Sequence, residues 1–203
     1  MEQHRLAHEI TRIAEPVVRA LGLALWGIEF IHSGRTVLRM YVDSPPGARD
    51  IPAARPDTDE AARTVDGSGP SIGQCAKISR HIALALDAED IIPYAYVLEV
   101  SSPGLERPFF ALAQLAPYVG SDVTLKLGSI QPELPDRKCL RGRLQAVGEQ
   151  DFTLLAYDAP AGTLLSIRWD NVRKAMLAPE LPFSKSDKRG KKKSAPKAGA
   201  ASK

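Results

Sequence analysis

The chain has 203 residues, and 27 Lys+Arg against 24 Asp+Glu give a formal net charge of +3. With 44% hydrophobic and 25% charged residues it has ordinary globular composition, neither disordered nor fibrous. No run approaches the ~18 apolar residues that a membrane-spanning helix needs. Glu2, His4, Arg5, His8, Glu9 and Arg12 occupy the stretch that a secretory signal would keep apolar. Two cysteines, Cys75 and Cys139, are too few for a disulfide scaffold; both are expected to be reduced, in a cytoplasmic protein.

The first element is an amphipathic helix. Leu6, Ile10, Ile13, Ala14, Val17, Val18 and Leu21 recur at helical spacing, and Gly22 follows as a C′ residue. Pro16 lacks a backbone donor and is expected to kink this helix or reset its start. Two strands come next, Leu23–His32 and Arg35–Asp43, around a turn at Ser33-Gly34. Trp26, Ile28 and Phe30 share one face of the first; Thr36, Leu38, Met40 and Val42 share one face of the second. Glu29, Arg35, Arg39 and Asp43 fall on the opposite side, which gives a hairpin with one buried and one charged face.

Ser44–Pro70 holds five Pro, three Gly and no aromatic residue in 27 positions, with neither helical nor strand periodicity. It reads as a disordered insertion, whose closure entropy grows only logarithmically with length. A second helix follows over Ile72–Asp87, with Ser71 and Gln74 at capping-box spacing and Cys75, Ile78, Ile82, Ala85 and Leu86 on one face. The strand Tyr94–Ser101 then runs into Ser102-Pro103-Gly104, where Pro and Gly suit the central positions of a type II turn. The order α-β-β-α-β predicts a small sheet with helices on one face.

Beyond Arg107-Pro108 the texture changes to short strands: Asp122–Leu127, Cys139–Val147, Phe152–Tyr157, Thr163–Trp169 and a last one near Ala175–Leu177. This spacing predicts a compact β-barrel. The fold class is therefore α+β: an α/β domain over 1–108 with its insertion at 44–70, a small all-β barrel over 109–183, and a tail over 184–203. Charge follows the same division. Residues 1–108 carry a net −4, residues 109–183 a net of zero, and the tail, with seven Lys, one Arg and one Asp, a net +7. The tail has no aromatic residue and no apolar period, so it is expected to stay unfolded and to serve either as a solubilising extension or as a salt-sensitive polycation.

At Tyr96–Phe109 the run YVLEVSSPGLERPF closely resembles the hallmark of the bacterial ribosome maturation factor RimP family. LGLALWGIEF and TVLRMYVDS resemble its opening hairpin, GQCAKISRHIALALDAEDIIP its second helix and VRKAMLAPEL its closing motif, all in the family's order. The resemblance implies an α/β domain followed by a barrel similar to Sm and SH3 folds. It also implies a non-catalytic factor that associates with the immature small (30S) subunit near its central pseudoknot and assists incorporation of the twelfth small-subunit ribosomal protein. The insertion and the basic tail depart from the family's compact pattern.

Three groups of residues are candidates for contact with partners. In the turn Ser101-Ser102-Pro103-Gly104 and the following Arg107, Gly104 permits positive φ and Pro103 stiffens the chain, so backbone donors and a guanidinium are presented at little ordering cost. The same turn also joins the two domains. Glu29, Arg35, Arg39 and Asp43 form a mixed-charge hairpin face, either simply solvated or divided between phosphate and a basic ribosomal protein. In the barrel, Arg137, Lys138, Arg141 and Arg143, with Arg173 and Lys174 further on, make a stripe suited to a phosphate backbone. Phe152 and Trp169 are read as core.

No enzyme pattern emerges. His4 and His8 lack a third metal ligand nearby in sequence, Ser101 and Ser102 lack a nucleophile elbow, and no Gly-rich phosphate loop is present. The expectation is a monomeric, non-catalytic binding protein without cofactor or metal. Its partners are the immature small subunit, through 16S rRNA and a basic ribosomal protein; a general RNA-binding regulator and a hydrolase are the rivals.

Overall fold

A computed structural model of the chain describes residues 2–45, 69–134, 136–157, 159 and 162–178. Most of the expected insertion and the whole basic tail lie outside the described residues. The first half comprises helix α1 (Glu2–Ala20), strands β1 (Ala24–Ser33) and β2 (Arg35–Asp43), helix α2 (Ile72–Glu89) and strand β3 (Tyr96–Ser101). The second half holds β4 (Pro108–Phe109), a 3-10 helix (Leu112–Tyr118), β5 (Asp122–Leu127), β6 (Cys139–Val147), β7 (Asp151–Ala156), β8 (Leu164–Arg168) and β9 (Val172–Leu177).

Local sequence signals account for the ends of both helices. At the end of α1, Gly22 adopts φ +74, its N–H bonds the Arg19 carbonyl at 3.0 Å and the Leu23 N–H bonds the Val18 carbonyl at 3.2 Å. These two bonds form a Schellman closure. Pro16 does not restart α1, which runs through it; Pro16 lies on the exposed side, where the carbonyl left without a donor can be hydrated. At the start of α2, the Ser71 side chain accepts from the Gln74 N–H and the Gln74 side chain accepts from the Ser71 N–H, the reciprocal capping box.

β1 pairs antiparallel with β2, and β2 pairs parallel with β3 through the α2 crossover, giving the order β1-β2-β3. Ile10, Ala14 and Val18 of α1, Leu38, Met40 and Val42 of β2, and Ile78, Ile82 and Leu86 of α2 form one buried cluster, so both helices cover the same face of this sheet. One detail of the expected hairpin is corrected. The register shifts between Leu25 and Gly27, and the extra residue, Trp26, turns away from Ile28 and Phe30. Leu25, Ile28 and Phe30 pack on the first core, whereas Trp26 packs on the second. A bulge inverts side-chain parity, so the simple alternation fails at that residue.

The second half is a six-stranded antiparallel sheet in the order β4-β9-β5-β6-β7-β8. Val123, Leu125, Leu140, Leu144, Phe152, Leu154, Leu165 and Ile167 alternate inward and form its core with Phe109 and Leu115. Among the described residues no strand pairing joins β8 to β4, so the sheet does not close into a barrel by its ladders.

Candidate functional site

The turn after β3 exposes Ser101, Ser102, Gly104, Leu105 and Glu106, buries Pro103, and has Gly104 at φ +70 as the Pro-Gly order requires. Arg107 behaves differently from the expectation. Its side chain is only 12% exposed, and its Nη1 lies 2.6 Å from Oδ2 of Asp43. The guanidinium carbon sits 4.7 Å from the Trp26 ring centre and 5.7 Å from that of Tyr118. The Trp26 indole N–H donates to the Pro108 carbonyl at 2.6 Å, and the Leu177 N–H donates to the Arg107 carbonyl at 2.9 Å. Arg107 is thus a cation held between two rings and a buried carboxylate, at the point where the chain passes from one sheet to the other.

This joint explains why Asp43, placed by alternation on the charged hairpin face, is 4% exposed: the chain around Arg107 covers it. The covering continues along the same face. Phe110 packs on Tyr41 with ring centres 5.7 Å apart, and a Cβ on Gly27 would come within 2.0 Å of Cδ2 of the Phe110 ring. Gln114 locks the arrangement, its side-chain N–H donating to the Trp26 carbonyl at 2.6 Å while its carbonyl accepts the Phe110 N–H at 2.7 Å.

The rest of the hairpin face is a row of alternating charge. Glu29, Arg39 and Glu99 lie side by side across the three strands. Arg39 contacts Oε2 of Glu99 through Nε at 2.9 Å and Nη2 at 2.8 Å, and its pKa is raised chiefly by that bond. Glu29 accepts from the Tyr41 hydroxyl at 3.2 Å and pairs with Nζ of Lys174, on the second sheet, at 3.3 Å. Burial raises the Tyr41 pKa. Arg35 stands apart, exposed beside the hairpin turn.

On the second sheet, Arg141 and Arg143 project outward from β6 while Leu140 and Leu144 point inward, as the alternation requires. Both arginines face Asp122, with Arg141 Nη2 at 3.7 Å and Arg143 Nε at 3.5 Å. The Tyr157 hydroxyl donates to the same carboxylate at 2.6 Å, and that bond, followed by burial, raises the tyrosine pKa. Arg137 and Lys138 are exposed just before β6 and Arg173 is exposed on β9, whereas Lys174 reaches Glu29. Sequence reasoning missed Lys126, which β5 places directly opposite Lys174. It sits at an outward position of the alternating run DVTLKL, but as a lone lysine in sequence it joins a cluster only once strand register is known.

Among the described residues no three His, Cys, Asp or Glu side chains come together to hold a metal ion, and no helix is long and apolar enough to cross a membrane. Cys75 is half-buried on α2, and burial raises its thiol pKa; Cys139 is exposed.

Comparison with known proteins identifies these elements. Residues 13–106 match the RimP N-terminal domain. The chain is 44% identical to the ribosome maturation factor RimP of Nitratidesulfovibrio vulgaris (strain Miyazaki F) over 196 residues, covering 90% of this chain and 85% of that protein. The chain belongs to the ribosome maturation factor RimP family. The RimP of Desulfovibrio desulfuricans is 39% identical over 86% of this chain and 80% of its own length, and the RimP of Lawsonia intracellularis 36% over 87% and 89%. The RimP N-terminal match stops at Glu106, one residue before the largely covered Arg107, while the alignments with whole RimP proteins extend well into the second sheet.

Proposed function

We propose that this chain assists maturation of the small ribosomal subunit by binding immature 30S particles, and that it acts without catalysing a reaction. The observation that carries this reading is its likeness to RimP proteins over nine-tenths of the chain, a span too long for a shared domain alone. Binding one conformation of the rRNA or of an incoming ribosomal protein better than its competitors shifts the assembling population toward the productive form. Residues 1–108 and 109–183 act as two domains, in support of which their described residues form two core clusters. Six antiparallel strands wound on one core support reading the second as a small barrel of the Sm or SH3 type.

In this account the first domain, with its net −4, meets a basic ribosomal protein through Glu29, while Arg35 and Arg39 meet phosphate or acidic groups and the exposed turn Ser101–Gly104 adds contacts, near the central pseudoknot. The cations of the second sheet meet 16S rRNA. The protein works as a cytoplasmic monomer with no cofactor. Tagged protein sedimented with cell extract is expected in fractions holding small-subunit precursors and to be depleted from mature 70S particles. An even spread over all RNA-containing fractions would instead indicate a general RNA-binding protein.

A further inference from the structure

We infer that the outward face of the second sheet, centred on Lys126, is a binding surface for the phosphodiester backbone of RNA; this rests on the reading that the chain works on ribosomal RNA. β5 lies between β9 and β6, and register puts Lys126 directly opposite Lys174 on one side and Cys139 on the other. Adjacent strands are about 4.8 Å apart, so two lysines in that arrangement repel and destabilise the free sheet. Glu29 offsets Lys174. The Lys126 side chain has no hydrogen-bond or ion-pair partner among the described residues.

The next positions extend the same surface. Arg141 faces Thr124, two residues from Lys126, and Arg143 follows two residues further along β6, roughly 6.8 Å away for alternate residues of one strand. Asp122 faces both arginines at 3.5–3.7 Å, beyond good hydrogen-bond length, and the two side chains remain 53% and 46% exposed. A guanidinium carries five N–H donors, so the Asp122 carboxylate, with the Tyr157 hydroxyl also beside Arg143, positions the two arginines without using all of their donors. Lys174, Lys126, Arg141 and Arg143 therefore lie on three neighbouring strands, with the Thr124 hydroxyl exposed among them. Met176, opposite Thr124, and the half-exposed Tyr157 beside Asp122 also lie on this face, but its four cations outnumber the carboxylates of Glu29 and Asp122, which suits a regular polyanion.

The test uses the full chain and a protein-free transcript of small-subunit rRNA, with affinity measured over a salt series. The double variant Lys126→Gln/Arg141→Gln is expected to bind more than tenfold more weakly near ~0.1 M salt, with a log–log salt slope shallower by about 1.5, as for two lost phosphate contacts. Arg12→Gln/Arg19→Gln, which removes the same charge from α1, should leave that slope unchanged. Lys126→Gln alone should bind about fivefold more weakly, yet melt at or above the wild-type temperature because the repulsion with Lys174 is gone. Unchanged binding by the double variant, equal losses in the two double variants, or a lower melting temperature for Lys126→Gln would overturn the inference. Failure there, with wild-type protein still sedimenting with precursors, removes this surface and leaves the assembly reading standing. Wild-type protein that ignores precursors removes the assembly reading, and this inference with it.

Discussion

Arg107 shows how far a single residue's role depends on what folds over it. Its guanidinium bridges a buried carboxylate and two aromatic rings, and removing it takes the cation away from a covered Asp43 that still accepts from the Ser44 N–H. Arg107→Ala is therefore expected to lose about 3 kcal/mol of stability, as for one partner removed from a buried ion pair. Arg107→Lys should fall in between, since it keeps a charge but cannot stack a planar group on Trp26. Urea unfolding of the three proteins measures this; a loss below about 0.5 kcal/mol for the alanine variant, the range of ordinary surface changes, would contradict it. The alternation of β2 correctly puts Asp43 opposite Leu38, Met40 and Val42. Alternation says which side a residue faces, however, and not what covers that side; here the cover comes from 64 residues away in the chain.

At the scale of elements, the legible features were those set by neighbours in sequence. The Ser71–Gln74 capping box, the Gly22 helix end and the strands Asp122–Leu127 and Cys139–Val147 all need only a few adjacent residues to declare themselves. The Trp26 bulge and the 3-10 helix Leu112–Tyr118 escaped, the first because a bulge has no periodic signature and the second because LAQLAPY is too short to show one. Both belong to the joint between the sheets. Its tightest point is Gly27, where the Phe110 ring occupies the space a side chain would need. Gly27→Ala is expected to cost about 2 kcal/mol, the scale of an overpacked core, because either Phe110 or the strand must shift. Thermal unfolding followed by circular dichroism checks it, and a melting temperature equal to the wild type would show that the ring moves freely.

The whole molecule separates its charges. An acidic first half, a neutral second half and a strongly basic end average to a small positive number that describes none of them. Folding refines this further, because the neutral second half gathers Lys126, Lys174, Arg141 and Arg143 on one outward face while Asp122 lies nearly buried beneath the arginines. That gathering was only partly legible: β6 shows its own arginines by period 2, but the pairing of Lys126 with Lys174 is a property of strand order. The Tyr96–Phe109 run, by contrast, carries the family in its residues, and most of them serve the sheet edge and the joint. Deleting the gene and profiling ribosomes on a sucrose gradient tests the proposed role in small-subunit maturation. Free small subunits containing unprocessed small-subunit rRNA should accumulate; a profile indistinguishable from the parent strain would contradict that role.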